Sequence, residues 1–363
     1  MHELFVVAPP GLEAVCSAEV AALGADRVRV VHGGVACAGD EALILRLNLG
    51  CRVASRVLVR IWEGPVANAA RIGAVDLRRF LPPGGAFRIE VSGGGAHPAR
   101  LAAPLEQAIR RQVPGARPAP KGEPAQLFAL RLAAGRLVAS ADASGAHLHQ
   151  RGYRQETGVA PLRENLAAGI LAIAGYDGTQ PLFDPFCGSG TFLVEAALLA
   201  LRRAPGAART FACEAWPSID PARAAAVRAS LRADERPAPP APLVGADRNA
   251  GALGVARRNA ARAGVLEHLR LARADATAAE PPAPTGVLAT NPPWGRRVGE
   301  RRALEPLYRA FGRRLRERFA GWTLAVLVGD EGFAPALGLD EAERHPLRNG
   351  GLPCTLLVAR RDA

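Results

Sequence analysis

Lysine is nearly absent from this chain. Lys121 is the single one among 46 basic residues, and the formal charge of +12 is carried by arginine. A basic excess favours polyanionic partners, because contacts with phosphates release condensed counterions. Ala, Gly, Pro and Arg are abundant along the whole chain, however, a pattern of coding bias that scatters arginines without purpose. The charge alone therefore does not define a nucleic-acid binder. No stretch approaches the ~18 uninterrupted apolar residues of a membrane-spanning helix, so no membrane partner is expected. Met1-His2-Glu3 opens directly into the strand-like Leu4-Phe5-Val6-Val7, with no basic leader and apolar core behind it. No secretory signal is expected, and the cytoplasm is the expected compartment.

Six cysteines (Cys16, Cys37, Cys51, Cys187, Cys213, Cys354) show no Cys-x-x-Cys pair and no adjacent histidine spacing. A zinc site, a disulfide framework and a metal cofactor are all unexpected. Most of these residues read as small buried apolar side chains. Hydrophobic residues make up 49% of the 363 positions, which excludes a disordered chain and leaves material for more than one core.

Periodicity divides the chain. Apolar residues near a spacing of 3.6 predict helices over Gly11–Leu23 and Glu41–Leu49. Strands are predicted at Leu4–Ala8, Val57–Trp62 and on both sides of Gly33-Gly34. A second α+β module follows, with a strand at Ala86–Val91, a helix at Leu101–Val113 and a hairpin around Gly135. From about residue 160 the rhythm becomes strand and long helix in alternation, the pattern of a parallel doubly wound sheet. Its strands are predicted at Pro181–Asp184, Pro242–Ala246, Leu269–Ala272, Val287–Thr290, Thr323–Val328 and Leu356–Ala359. The expected fold class is α/β, with α+β modules ahead of a Rossmann-like domain. The expected divisions are 1–60, 61–150 and 151–363.

Two motifs carry the chemistry. Asp184-Pro185-Phe186-Cys187-Gly188-Ser189-Gly190-Thr191 reads as a strand end, a glycine turn and a helix start, which presents free backbone N–H groups to a ligand. A dinucleotide turn is the competing reading, but Phe192-Leu193 stands where the third glycine of G-x-G-x-x-G would lead, and Asp247 is too distant for that fingerprint. An acid at the strand end suits a cation such as a methionine ammonium, so S-adenosylmethionine is the expected cofactor. Asp247, next to Arg248, and Asp275, next to Ala276, end the following two strands. Each acid alone is more often a helix cap; three at successive strand ends mark the ligand edge of such a sheet, with Asp247 placed for ribose hydroxyls and Asp275 for an adenine amine. The second motif, Asn291-Pro292-Pro293-Trp294, follows another strand to that same edge. An exocyclic amine is a poor nucleophile until acceptors bind its hydrogens and aim its lone pair. The Asn291 oxygen and the Pro292 carbonyl offer two acceptors, Pro292 and Pro293 hold the loop rigid, and Trp294 can stack on a base. A proline turn with a buried tryptophan is the alternative if the loop stands alone. No cysteine is expected to act as a nucleophile.

Both motifs, together with Arg151-Gly152-Tyr153-Arg154 and Ala160-Pro161-Leu162-Arg163-Glu164-Asn165-Leu166, resemble the THUMP-domain guanine-N2 RNA methyltransferases. Gly33-Gly34-Val35, Leu47–Arg56 and Arg348-Asn349-Gly350-Gly351-Leu352 extend the likeness over nearly the whole chain, and it is strongest to the N-terminal half of the large-subunit ribosomal RNA enzymes. The resemblance implies a ferredoxin-like domain, a THUMP domain and a class I methyltransferase domain, with S-adenosylmethionine as donor and guanine N2 of RNA as acceptor. It implies that Pro161, Leu162, Asp184 and the loop Phe186, Cys187, Gly188, Ser189, Gly190 and Thr191 surround the donor. Asp247 and Asp275 would hold its nucleoside, and Asn291 and Pro292 the guanine amine. Trp294 stands where the family more often has Tyr, and the chain carries one methyltransferase domain where the fused enzymes carry two, so one modification is expected. Ribosomal RNA is the expected partner. A tRNA guanine, a DNA amine, or a non-catalytic RNA-binding scaffold remain the alternatives.

Overall fold

Leu4 and Val6 are buried while their neighbours are not, and this period of two makes β1 (His2–Val7) a strand with one core face. The computed structural model describes residues 1–93, 97–156, 162–295 and 298–360. Its contacts group into two compact units. The first comprises Met1–Ala8, Cys16–Leu148 and Arg209–Ser230; the second comprises Pro9–Val15, His149–Ala208 and Leu231–Ala363.

The first unit is built on one sheet. Its strands are β1, β2 (Asp26–Val31), β3 (Gly34–Gly39), β4 (Arg56–Pro65), β5 (Ala86–Ser92), β6 (Arg117–Pro118), β7 (Gln126–Ala133) and β8 (Arg136–Asp142), in the order β2-β3-β1-β4-β8-β7-β5-β6. Pairing is antiparallel except around β5, which runs parallel to β6 and β7. Residue 60 falls inside β4, so the first two expected divisions share this sheet. Helix α1 (Glu13–Ala22) buries Cys16 and Val20. Helix α2 (Glu41–Gly50) starts where the Asp40 carboxylate accepts the Leu43 N–H at 2.8 Å, satisfying one of the unpaired donors of its first turn. Helix α3 (Pro98–Gln112) buries Leu101, Leu105, Ala108 and Ile109 along one stripe. The hairpin β7–β8 turns at Ala134 and Gly135, both with positive φ.

Arg209–Ser230 belongs to this first unit although it lies in sequence beyond the second unit's first strand. Trp216 donates its indole N–H to the Gln126 side chain at 2.6 Å and meets Phe80 edge-on at 5.0 Å, while Cys213 N–H pairs with the Ala143 carbonyl.

The second unit contains helices α4 (Glu164–Ile173) and α5 (Thr191–Ala200), with α6 (Pro221–Ala233) beginning in the first unit and ending here, then α7 (Ala250–Arg262), α8 (Val298–Arg318) and the short α9 (Ala334–Leu337). Its sheet runs β11 (Leu269–Arg273), β10 (Leu243–Asp247), β9 (Leu182–Asp184), β12 (Gly286–Thr290), β13 (Trp322–Val328), β15 (Leu352–Arg360) and β14 (Glu343–Asn349), in that order. The first five are mutually parallel; β15 is antiparallel to β13 and β14 antiparallel to β15. The sheet is therefore mixed, not wholly parallel as the alternation predicts. β14 has no apolar alternation to announce it: Glu-Arg-His-Pro-Leu-Arg-Asn buries only Leu347 and Asn349, and Pro346 suits an edge strand. The strand order reverses between β9 and β12, and open sheets of this kind take ligands in the crevice at the carboxyl ends of the strands at such a point. One face of the sheet is sealed by α8, with Phe183 and Phe319 stacked at 6.0 Å and Trp322 edge-on to Phe319 at 5.5 Å.

Trp216→Ala should destabilise the first unit by about 3–5 kcal/mol, the usual cost of deleting a packed tryptophan. Urea unfolding followed by circular dichroism measures this; an unchanged midpoint would show that Arg209–Ser230 is not part of that core.

Candidate active site

The glycine loop is shaped by two positive-φ residues and tied to the neighbouring strand. Gly188 has φ +52° and Gly190, which caps α5, has φ +82°, a region where side chains are strained. A β-carbon on Gly190 would press on Ala256 of α7 at 3.1 Å. Cys187 N–H pairs with the Ala246 carbonyl at 2.9 Å, and Gly188 N–H donates to Asp247 Oδ2 at 3.0 Å. The other Asp247 oxygen accepts from Asn249 N–H at 2.8 Å. Asp247 thus joins the loop to the start of α7, which Asn249 caps through Gly251 and Ala252.

Asp184 closes β9 and is 2% exposed. Its Oδ1 accepts the Thr290 hydroxyl at 2.7 Å and the Phe186 N–H at 3.1 Å, and Oδ2 makes no hydrogen bond among the described residues. Burial pushes its pKa up to about 7, against the two hydrogen bonds that favour the charged form; the nearby Asp247 carboxylate adds to the rise. Burial also pushes the Cys187 thiol well above its ordinary value and the Cys354 thiol up to about 11, so neither is a thiolate at neutral pH.

Thr290, at the end of β12, leads directly into Asn291. Asn291 Oδ1 accepts the Trp294 indole N–H at 2.8 Å. The Trp294 ring lies flat enough on Gly329 that a β-carbon there would meet it at 2.7 Å. The Pro293 carbonyl accepts the Tyr308 hydroxyl at 2.8 Å, and Tyr308, from α8, is stacked on Phe333 at 4.0 Å. Pro292 is buried and Pro293 exposed.

These elements surround one cavity of about 260 Å³. Asp184, Phe186, Cys187, Gly188, Ser189 and Thr191 form one side. Asp247, Arg248, Asp275 and Ala276 come from the ends of the next two strands, and Asn291, Pro292, Pro293, Trp294 and Leu162 complete the wall. Gly190 does not line it; its part is to start α5. Pro161 lies outside the described residues. Asp275 caps a short turn by accepting Thr277 N–H and Oγ1–H, so the capping reading holds for it as well. Pro185, Phe192 and Leu307 also line the cavity. The first two sit within or beside the motif, whereas Leu307 carries no local signal: its α8 neighbours do not reveal which face of the helix meets the site.

Leu162 is anchored from behind. Arg154 donates to the Leu162 carbonyl at 2.7 Å and pairs with Glu164 at 3.0 Å. Beside them the Tyr153 hydroxyl donates to Glu195 at 2.9 Å, with Arg151 3.5 Å from the same carboxylate. Arg151, Tyr153, Glu164 and Glu195 are 4% exposed or less, Arg154 is half-buried, and charges so deep persist only when paired. The Arg-Gly-Tyr-Arg segment therefore serves as an internal clasp. Among the described residues no group of His, Cys, Asp and Glu is arranged to hold a metal ion, and no helix is long and apolar enough to cross a membrane.

A glycine loop, three strand-end acids and an Asn-Pro-Pro-Trp loop around one cavity of this sheet define a Rossmann-like methyltransferase. The chain belongs to the RMKL-like methyltransferase domain family, whose model matches residues 151–358; residues 3–58 match the RlmL ferredoxin-like domain. It is 35% identical, over 97% of its length and 95% of the other's, to the Synechocystis protein named "Putative RNA methyltransferase slr0064". It is 34% identical to the ribosomal RNA large subunit methyltransferase K/L of Chromohalobacter salexigens, over 98% of this chain but 52% of that one. The chain thus spans about half the length of the K/L relatives. Among solved structures, SMU.472 complexed with SAH superposes with a TM-score of 0.88 at 28% identity, covering 100% of this chain and 98% of that one. A Listeria monocytogenes protein described as a predicted N6-adenine-specific DNA methylase gives 0.87 at 26% identity, covering 99% and 96%.

The raised pKa of Asp184 has a measurable consequence. A group that holds its proton more tightly when folded contributes stability below its unfolded pKa of about 4, and that contribution is lost as pH rises through its folded pKa. At about 1.4 kcal/mol per unit, the wild type should lose roughly 4 kcal/mol relative to Asp184→Asn between pH 4 and pH 8. Denaturant titrations of both proteins across this range test it; parallel pH profiles would refute the protonated, buried carboxyl.

Proposed function

We propose that this protein methylates the exocyclic N2 of a guanine in large-subunit ribosomal RNA. The observation that carries the reading is that one cavity is shared by the glycine loop and the Asn-Pro-Pro-Trp loop, joined at their roots by the Thr290–Asp184 hydrogen bond. The names of the K/L relatives support ribosomal RNA as the substrate class.

The methyl donor is S-adenosylmethionine, which when bound supplies an electrophilic methyl carbon on a sulfonium. The residues present fit it. Asp184 Oδ2, without a hydrogen-bond partner among the described residues, suits the methionine ammonium, and Phe186, Cys187, Gly188, Ser189 and Thr191 line the same cavity. Asp247 and Asp275, each with acceptor capacity beyond its backbone contacts, serve the ribose and the adenine amine.

On the acceptor side, the guanine amine places its hydrogens on Asn291 Oδ1 and the Pro292 carbonyl, which aims the nitrogen lone pair at the methyl carbon. Asn291 Oδ1 already accepts from Trp294, and a carbonyl-type oxygen has a second lone pair for the base. Trp294 thus fixes the asparagine rotamer as well as offering an aromatic wall, a role its indole N–H makes possible. Tyr308 holds the loop from behind at the Pro293 carbonyl. After transfer, the amine releases one of its two hydrogens as a proton to water. Placing such a base requires it to leave its stack. The segments 1–60 and 61–150 act as the ferredoxin-like and THUMP modules that read RNA shape and phosphates.

Labelled donor offered with unmodified ribosomal RNA, transfer RNA and duplex DNA should mark ribosomal RNA, at guanine N2; label on DNA adenine or on no nucleic acid would defeat the proposal. Asn291→Ala should lower kcat by about 10²–10³-fold, the scale of losing one preorganised polar contact in a transition state, with calorimetric donor affinity changed less than about threefold; comparable loss of both would contradict the role. Because the ammonium needs an ionised Asp184, donor affinity should rise with pH up to about 7 and then level off, and Asp184→Asn should bind weakly with no such pH dependence. A wild-type affinity that is flat from pH 5.5 to 8 would remove Asp184 from the ammonium site.

A further inference from the structure

Helix α8 presents two different sets of arginines. Arg314 and Arg318 converge on Glu280, the latter at 2.8 Å, and Arg314 also donates to the Ala279 carbonyl. Their charge is neutralised locally. Arg302, Arg309, Arg313 and Arg316 are spaced by 7, 4 and 3 residues, which places them in one stripe along the helix. At 1.5 Å rise per residue the stripe is about 21 Å long. All four side chains are exposed, and they form one wall of a groove of about 710 Å³. The opposite wall is Gly332, Phe333, Pro335 and Ala336, which carry no charge. Glu305, paired with Arg309 at 2.6 Å, is the only acid that lines the groove among the described residues. Arg302, Arg313 and Arg316 have no ion-pair partner among the described residues. Arg316 is laid so closely over Gly338 that a β-carbon there would collide with it.

Four like charges around one acid are unfavourable in an isolated protein, and coding bias alone would not align them. Guanidinium groups are planar forks that match phosphate oxygens in pairs. A stripe of this length suits a chain of phosphates better than a single anion. The groove is linked to the site through packing. Phe333 of its uncharged wall is stacked on Tyr308, whose hydroxyl holds the Pro293 carbonyl, and Leu307 of the same helix as Tyr308 lines the donor cavity. We propose that this groove binds the phosphate backbone of the RNA strand that flanks the target nucleotide, so that the arginines hold the strand while the Asn-Pro-Pro-Trp loop holds the base. This rests on the reading of RNA as the substrate.

The test compares two double variants of the full chain, Arg313→Gln/Arg316→Gln and Arg314→Gln/Arg318→Gln, with wild type, using unmodified 23S ribosomal RNA. The groove variant should raise the RNA KM roughly tenfold with little change in kcat or in calorimetric donor affinity. Its slope of log binding constant against log salt should shrink by about 1.4, at about 0.7 per lost single-strand phosphate contact. The Glu280-paired variant should leave the slope as in wild type. Equal effects of the two variants would mean a general charge effect and overturn the groove. So would a wild-type KM and slope in the groove variant while wild type methylates RNA, even if that variant loses an acidic protein partner in a pull-down. Failure of wild type to bind or label any RNA would instead defeat the functional reading itself, and the groove with it.

Discussion

The hydrogen bond from the Thr290 hydroxyl to Asp184 Oδ1 is the contact on which the rest of the site depends. It is buried, 2.7 Å long, and links residues 106 apart in sequence. It exists because β9 and β12 are adjacent parallel strands, with Leu182 opposite Val287 and Phe183 opposite Leu288, so that both chains leave the sheet at the same edge. A carboxyl group this deep, without partners, would carry a desolvation cost of several kcal/mol. The hydroxyl and the Phe186 N–H offset part of that cost on one oxygen, and the other makes no hydrogen bond among the described residues. The glycine loop and the Asn-Pro-Pro-Trp loop are thereby set from a single point.

Helix α8 supports that point from the far side. Phe311 meets Phe186 of the glycine loop edge-on at 5.1 Å, and Tyr308 holds the Pro293 carbonyl. Both loops therefore rest on one rigid element, itself packed on the sheet through Phe319 and Trp322. A loop alone would sample many positions, whereas near-attack geometry tolerates displacements well under an ångström. The arginine stripe on the outer side of α8 couples whatever it binds to the same element.

The Arg151–Arg154 segment gives a second example of position set through buried polarity. Its two arginines face Glu195 and Glu164, and Arg154 reaches the Leu162 carbonyl. Apolar packing would be at least as stabilising as these ion pairs, but it would not specify where Leu162 stands against the cavity. Trp294 works in the same way at shorter range: its indole N–H selects one orientation of Asn291, and its ring is seated on Gly329 because no side chain stands there.

Much of the site was legible in the amino-acid sequence because its chemistry is local. Gly188 and Gly190 announce positive φ, Pro292 and Pro293 announce a fixed loop, and Asp184, Asp247 and Asp275 each stand at or just past a strand end on one edge of the sheet. Secondary-structure rhythm likewise showed an α/β chain with a change of architecture near residue 160. Tertiary structure alone decided the rest. The antiparallel β14–β15 hairpin, the packing of Arg209–Ser230 into the first unit through Trp216, and the arrival of Leu307 at the cavity each depend on contacts between residues far apart in the chain. So do the raised pKa of Asp184 and the division of the α8 arginines into those held on Glu280 and those lining the groove. Local sequence records which backbone shapes a residue allows; burial and the distance to a partner arise only when the chain has closed on itself.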